Sequence, residues 1–435
     1  MTDTIAAIAT AAGIGGVGIV RVSGPKAIEI VANAIDIAPA KLDRRVRLGR
    51  ARSISGAHVD EVIAFAMRGP HSFTGEDVAE LHGHGGSHNL TALLEAIVSR
   101  GARIAEPGEF TRRALENGKL DLLRAEALLG VIHAGSERAA RLAQSALSGK
   151  LGNEIAAIER RAIELLAEIE GRIDFPDADL EPASVAWIGE TLGEIDDRCR
   201  VLVAGFRHGR AIDRGISVAL VGATNVGKSS LLNALVGNER AIVDATPGTT
   251  RDYLEVTTSW DGIAVTIIDT AGLRSAPDAI EQRGIALGES RVATVDVVVI
   301  VNDPESTTED RYGDRSVVVQ NKIDLAPASS GRLGISARTG AGLDQLRARV
   351  LAIAGVADRE GSEQAFITTA RQHETATAAS NAFSAARAAW ATSNRIDEVV
   401  ALEVRTGIDA LARLRGTEVS ERVLDELFAR FCIGK

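Results

Sequence analysis

Between Gly222 and Ser230 the chain reads GATNVGKSS, a segment that tolerates few folds around it. An apolar run, GISVALVG, leads into it, and a helical stretch follows. Glycine-spaced loops of this kind let backbone N–H groups and a helix N-terminus close around an anion. Strand before and helix after is the context such a loop requires. The spacing therefore predicts an α/β sheet over about residues 212–353. The runs GISVALVG, VTIIDTAG, VDVVVIV and VVVQNKID are its buried parallel strands. Val226, Gly227 and Ser230 belong to the loop, Lys228 is placed to reach β/γ-phosphate oxygens, and Ser229 to ligate Mg²⁺.

Further motifs follow in order. DTAG (Asp269, Thr270, Ala271, Gly272) ends the next long strand, with Asp269 expected behind the Mg²⁺ ligands and Gly272 at the γ-phosphate. PGTTRD supplies Pro247, Gly248, Thr249 and Thr250, the last a candidate Mg²⁺ ligand. NKID offers Asn321, Lys322 and Asp324, and Asp324 can accept two hydrogen bonds from a guanine edge that adenine cannot supply. Ser336, Ala337 and Arg338 fit a loop beneath the base. Each piece alone also reads as a solvated turn or a strand end. Their joint order predicts GTP binding and hydrolysis. Leu273 stands where many GTPases place a water-orienting glutamine, so Glu281 is the candidate for that role; a surface helix carboxylate is the competing reading. Asn225 carries a carbonyl suited to a monovalent cation that would replace an arginine finger, or it bonds its own loop.

The rest of the chain frames this segment. Its 435 residues exceed one ordinary core, and 45% hydrophobic with 25% charged residues predicts a soluble globular protein. A formal charge of −10 excludes a generally basic surface, so any nucleic-acid partner needs a local patch. Cys199 and Cys432 cannot build a disulfide framework. The N-terminus lacks a secretory pattern and VDVVVIV is too short to span a bilayer, so the expectation is a cytoplasmic protein with no membrane partner. VGIVRV, VDEVIAFAM and DVAELH predict strands, and LTALLEAIVSR a helix entered through Ser87 or Asn89. Ile155, Ile158, Ala162, Leu165 and Ile169 recur at helical spacing. In the last helix Val423, Leu424, Leu427, Phe428 and Phe431 share a face, capped by Thr417 or Ser420. The expected architecture is multidomain, α/β and α+β: 1–115 an N-terminal α+β domain, 116–210 the first helical part, 211–355 the inserted Ras-like P-loop domain, and 356–435 the second helical part.

GGVGIVRVSG, SFTGEDVAELHGHGG, PGEFTRRALENGKLDLLRAEAL, RIDFP and the terminal FCIGK, together with the nucleotide motifs, resemble the MnmE/TrmE family of tRNA-modification GTPases along essentially the whole chain. The resemblance implies a folate-binding N-terminal domain that forms a homodimer, and a heterotetramer with an FAD-containing partner, MnmG or GidA, so that FAD enters only through that partner. It implies an aminomethyl-type group installed on C5 of the wobble uridine of certain tRNAs, with 5,10-methylene- or 5-formyl-tetrahydrofolate as one-carbon source. It implies K⁺-dependent hydrolysis, with Asn225, Asp244, Thr246 and Thr249 around the ion, Ala245 between them, and Glu281 catalytic. Arg21, Glu80, Lys119 and Lys435 map to folate contacts, and Cys432 to a cysteine near that site. Thr224 stands where many relatives have proline, and the stretches after Asn302 and Asp324 are short.

His82, His84 and His88 invite a metal reading, but no cysteine or clustered carboxylate completes a ligand set; a Gly-rich turn near a ligand pocket fits better. Gly434 and Lys435 fit poorly with prenylation of Cys432, which reads as either a site-positioned thiol or a small buried residue. Two rival functions share the motifs: a ribosome-assembly GTPase, and a folate-binding GTP switch without direct chemistry.

Overall fold

The computed structural model describes residues 3–174, 182–237, 254–269, 292–329, 331–356, 365–394, 396–417 and 420–434. The chain divides into two compact units, Met1–Leu129 with Arg415–Lys435, and Gly130–Leu414.

The first unit opens with β1 (Ile5–Ile8), β2 (Val17–Ser23), α1 (Ala27–Ala34), β3 (Arg47–Arg52), β4 (His58–Met67) and β5 (Val78–His84). It continues through α2 (Ser87–Val98), β6 (Arg103–Ile104), α3 (Glu109–Glu116) and α4 (Leu122–His133). The strands form one sheet in the order β3-β4-β5-β2-β1-β6. Pairing is antiparallel except between β1 and β6. Along β4 alternate residues Val62, Ala64 and Ala66 are buried against Ile28 and Val31 of α1 and Leu93 and Ile97 of α2, so a period of two makes the strand and one face makes the core. Gly86, not Ser87 or Asn89, caps α2. The Asn89 amide is drawn instead to Asp60 Oδ2 (2.6 Å) and the His84 carbonyl (2.9 Å).

The second unit holds α5 (Glu137–Leu147), α6 (Lys150–Asp174), α7 (Pro182–Ala204), α8 (Phe206–Arg214), β7 (Ile216–Val221), α9 (Lys228–Val236), β8 (Leu254–Trp260) and β9 (Ile263–Asp269). After these come β10 (Val297–Asn302), β11 (Ser316–Gln320), β12 (Leu333–Gly334), α10 (Leu343–Ile353), α11 (Ala370–Trp390) and α12 (Asp397–Arg415). The α6 stripe Ile155, Ile158, Ala162, Leu165 and Ile169 is buried as its spacing requires. Thr369 and Gln372 form a capping box at the start of α11. The α11–α12 packing is close: a Cβ on Gly407 would sit 2.5 Å from the Phe383 ring.

The sheet of this unit runs β12-β11-β10-β7-β9-β8. β7, β9, β10, β11 and β12 are parallel, and every residue of β10 is buried, which explains its unbroken apolar run. β8 is an antiparallel edge strand. The connection from β10 to β11 contains a single 3-10 turn, Gly313–Arg315, and no α-helix.

The chain's end returns to the first unit as α13 (Glu421–Phe428). Ser420 is its N-cap residue, though its side chain makes no capping bond. Phe428 and Phe431 are buried with rings 5.7 Å apart, while Val423, Leu424 and Leu427 are only half-buried. Arg112 of α3 holds the helix through Glu421 (2.6 Å) and Asp425 (2.9 Å). Beyond it Ile433 bridges Pro107, and Gly434 lies so near Ile8 that a Cβ would meet its carbonyl oxygen at 2.3 Å.

Candidate active site

At the end of β7 the backbone turns at Gly222, where an added Cβ would stand 2.2 Å from the Val301 carbonyl oxygen of β10. The loop then passes through two left-handed residues, Asn225 (φ 65°) and Gly227 (φ 94°). Gly227 also caps α9, and its missing Cβ leaves room for the Asn321 amide. Val226 is buried, which pins the loop, while Asn225 and Ser230 are exposed. The Lys228 ammonium donates to the carbonyls of Gly222 (3.0 Å) and Ala223 (2.6 Å), and so lies folded over the loop its phosphate ligand would fill. The Ser229 hydroxyl donates to Asp269 Oδ2 at 2.7 Å. A hydroxyl and a carboxylate joined at a helix N-terminus are the oxygen donors a hard divalent cation takes, so this pair fits Mg²⁺. Bound there, the ion would neutralise charge on the β- and γ-oxygens.

Asn321 joins the phosphate loop to the base loop. It is 2% exposed, donates through Nδ2 to the Val226 carbonyl (2.9 Å), and accepts at Oδ1 from the Ala337 N–H (3.1 Å). Ser336, fully buried, donates to Asp324 Oδ1 at 2.6 Å and accepts the Thr339 N–H. The Ser336 bond, with the charge of Arg338, holds the Asp324 carboxyl below its ordinary range. Asp324 is thus an oriented carboxylate at the C-terminal ends of parallel strands, where this class of sheet binds ligands.

Sequence reasoning missed Asp303. It directly follows β10, is buried, and accepts from Lys322 Nζ at 2.7 Å and from the backbone and hydroxyl of Ser306. The Lys322 bond, then those of Ser306 and Glu305, bring its carboxyl down to about 2. An acid one residue past a buried parallel strand was the available signal. Because this carboxyl is depressed, its stabilisation is complete above the unfolded value near 4 and is lost as pH falls toward 2. Asp303→Asn should cost about 1–2 kcal/mol at neutral pH, reduced by the exposure of Lys322. It should also flatten the acid limb of the denaturation midpoint. A midpoint unmoved at neutral and acid pH would refute the ion pair.

Asp244, Ala245, Thr246, Pro247, Gly248, Thr249, Thr250, Thr270, Ala271, Gly272, Leu273, Glu281 and Lys435 lie outside the described residues.

In the first unit β2 and β5 place Arg21 opposite Glu80, and the two meet at 2.8 Å. His82 Nε2 lies 2.9 Å from the second carboxylate oxygen, and the Phe110 ring lies 5.9 Å from the guanidinium. Burial pushes the Glu80 carboxyl up, but the bonds from His82 and Arg21 outweigh it and leave it lowered. Lys119 is engaged elsewhere, donating to the Pro70 carbonyl at 2.8 Å. Cys432 is exposed; Cys199 is buried, and burial with the charge of Asp196 pushes its thiol up to about 12. His84 bonds Asp60 at 2.7 Å, and among the described residues no group of three or more His, Cys, Asp or Glu is arranged to hold a metal. Among them, too, no helix is long and apolar enough to cross a membrane.

A phosphate loop between a parallel strand and a helix, with a carboxylate-bearing base loop tied to it, defines a P-loop GTPase. Family comparison agrees: the MnmE helical domain matches residues 122–432, and the GTP-binding protein TrmE N-terminus matches residues 4–119. The tRNA modification GTPase MnmE of Symbiobacterium thermophilum is 40% identical over 468 residues, covering 100% of this chain and 99% of its own. That of Myxococcus xanthus is 42% identical over 443 residues, covering 99% of each. Among solved structures, the G domain of the T. maritima FeoB iron transporter is 25% identical over 32% of this chain and 98% of its own, with a TM-score of 0.25. The chain belongs to the MnmE family of tRNA modification GTPases.

Proposed function

We propose that this GTPase couples GTP hydrolysis to modification of tRNA. In this reading it acts as a homodimer with an FAD-containing partner of the MnmG/GidA kind. Together they add an aminomethyl-type group to C5 of a wobble uridine, with a tetrahydrofolate as one-carbon donor. The observation that carries the reading is its full-length identity to relatives named tRNA modification GTPase. The docking of the Cys432-bearing tail onto the unit that holds Arg21 and Glu80 supports a one-carbon site there. In the GTPase unit, Asn225 and the potassium loop would stabilise charge at the phosphates, and Glu281 would orient water.

Nucleoside mass spectrometry of total tRNA tests the reading. Cells lacking the chain should lose a C5-modified wobble uridine and regain it on complementation; an unchanged profile would overturn the reading. For the hydrolytic step, Glu281→Ala should leave GTP binding within about twofold and cut turnover by about 10²-fold or more. The wild-type chain should turn over faster in K⁺ than in Na⁺, and equal rates would remove the potassium assignment.

A further inference from the structure

Although the chain's formal charge is −10, residues 41–52 read KLDRRVRLGRAR, with Lys41, Arg44, Arg45, Arg47, Arg50 and Arg52 against one acid, Asp43. All six cations but the half-buried Arg47 are exposed. They occupy the approach to β3 and β3 itself, which among the described residues is an edge strand paired with β4 alone. Their neutralisation is weak. Arg47 reaches Asp43 at 3.9 Å and Arg50 reaches Glu61 at 3.4 Å, the first between half-exposed and the second between exposed side chains. Pairs of that kind contribute about 0–1 kcal/mol. Arg44 and Arg52 are held by backbone carbonyls, of His71 and Gly56, which fix a guanidinium without cancelling its charge. A register shift at Ala51 and Arg52 sets Arg52 opposite His58.

Charged side chains often guard sheet edges against pairing. That accounts for Arg50 and Arg52 but not for Arg44 and Arg45, which precede the strand, nor for the single sign. Arginine also presents a planar fork that matches phosphate oxygens two at a time. We infer that the Lys41–Arg52 strip binds the phosphate backbone of the tRNA on which the chain acts, an inference that rests on the function proposed above. Helical RNA is held chiefly through backbone and shape, which a strip of arginines suits. On a chain of net negative charge, the strip offers a polyanion a local positive surface. β4 and β5 separate β3 from β2, so at about 4.8 Å per strand the strip lies about 14 Å from Arg21 across the sheet, a distance a folded RNA stem spans.

The test uses the full chain and a labelled anticodon stem-loop RNA, with binding followed by anisotropy between about 50 and 200 mM salt. Replacing Arg44, Arg45, Arg50 and Arg52 together by Gln should shrink the slope of log affinity against log salt by about 3. Basal GTP hydrolysis should not change. The matching fourfold Lys variant should keep most of the slope. If removing the edge charges causes aggregation, Arg44→Glu with Arg45→Glu, off the strand, should still reduce it. An unchanged slope in the soluble Gln or Glu variant would overturn the strip. So would a wild-type chain that binds phosphatidylglycerol vesicles in preference to the RNA. Nucleoside profiles of complemented cells separate the two ideas: normal modification with a normal slope in the variant removes the strip alone, whereas no modification by the wild type removes the function.

Discussion

Asp324→Asn should lower GTP affinity by about 10²-fold or more and turn the site toward xanthine nucleotides. Guanine offers two adjacent donors, its ring N–H and its exocyclic amino group, and a carboxylate accepts both. Each such charge-assisted bond contributes about 1.5–3 kcal/mol, and an amide keeps at most one acceptor. Its NH₂ would also face the amino group of guanine donor to donor. Xanthine carries a carbonyl there and would accept from the new amide. The geometry favours a clean result, because Ser336 holds the Asp324 carboxylate at 2.6 Å and an asparagine oxygen can take the same bond. Competition of GTP, XTP and ATP for binding would check it. Equal loss for all three nucleotides would mean that Asp324 supports the loop rather than reads the base.

The parts legible in the sequence are those where one physical requirement dictates residue type. β10 is covered on both faces and reads as an unbroken apolar run, while β7, and β9 as far as Ile268, are apolar apart from Ser217 and Thr266 at partly exposed positions. The α6 stripe shows because five residues must face one way, and the phosphate loop because only glycine fits at Gly222 and Gly227. What stayed hidden depends on distant partners. Nothing local tells that Arg21 will face Glu80, since β2 and β5 find register through the whole sheet; only the family resemblance singled these residues out. Arg113 is 1% exposed, a position that composition rules assign to apolar residues. It is tolerated because Asp3 (2.8 Å), Glu76 (3.1 Å) and Glu109 (3.1 Å) surround it. Gly86 is the N-cap of α2, and the Asn89 amide donates instead to Asp60, a contact from β4 that no helix-start signal contains.

Lys228→Met should abolish most catalysis while leaving the fold intact, with kcat/KM for GTP down by about 10²–10³-fold. The side chain is 5% exposed, and its stem lies against the loop, so methionine replaces most of the apolar volume. What disappears is the ammonium, which here donates to the carbonyls of Gly222 and Ala223. When phosphate enters, those donors can turn to the β- and γ-oxygens, where negative charge accumulates as the bond to the γ-phosphoryl breaks. The interaction therefore strengthens on the way to the transition state, and its loss should fall on kcat as well as on KM. A midpoint that fell along with activity would show that the ammonium's bonds to Gly222 and Ala223 build the loop. Turnover near wild type at saturating GTP would show that Lys228 acts in ground-state binding alone.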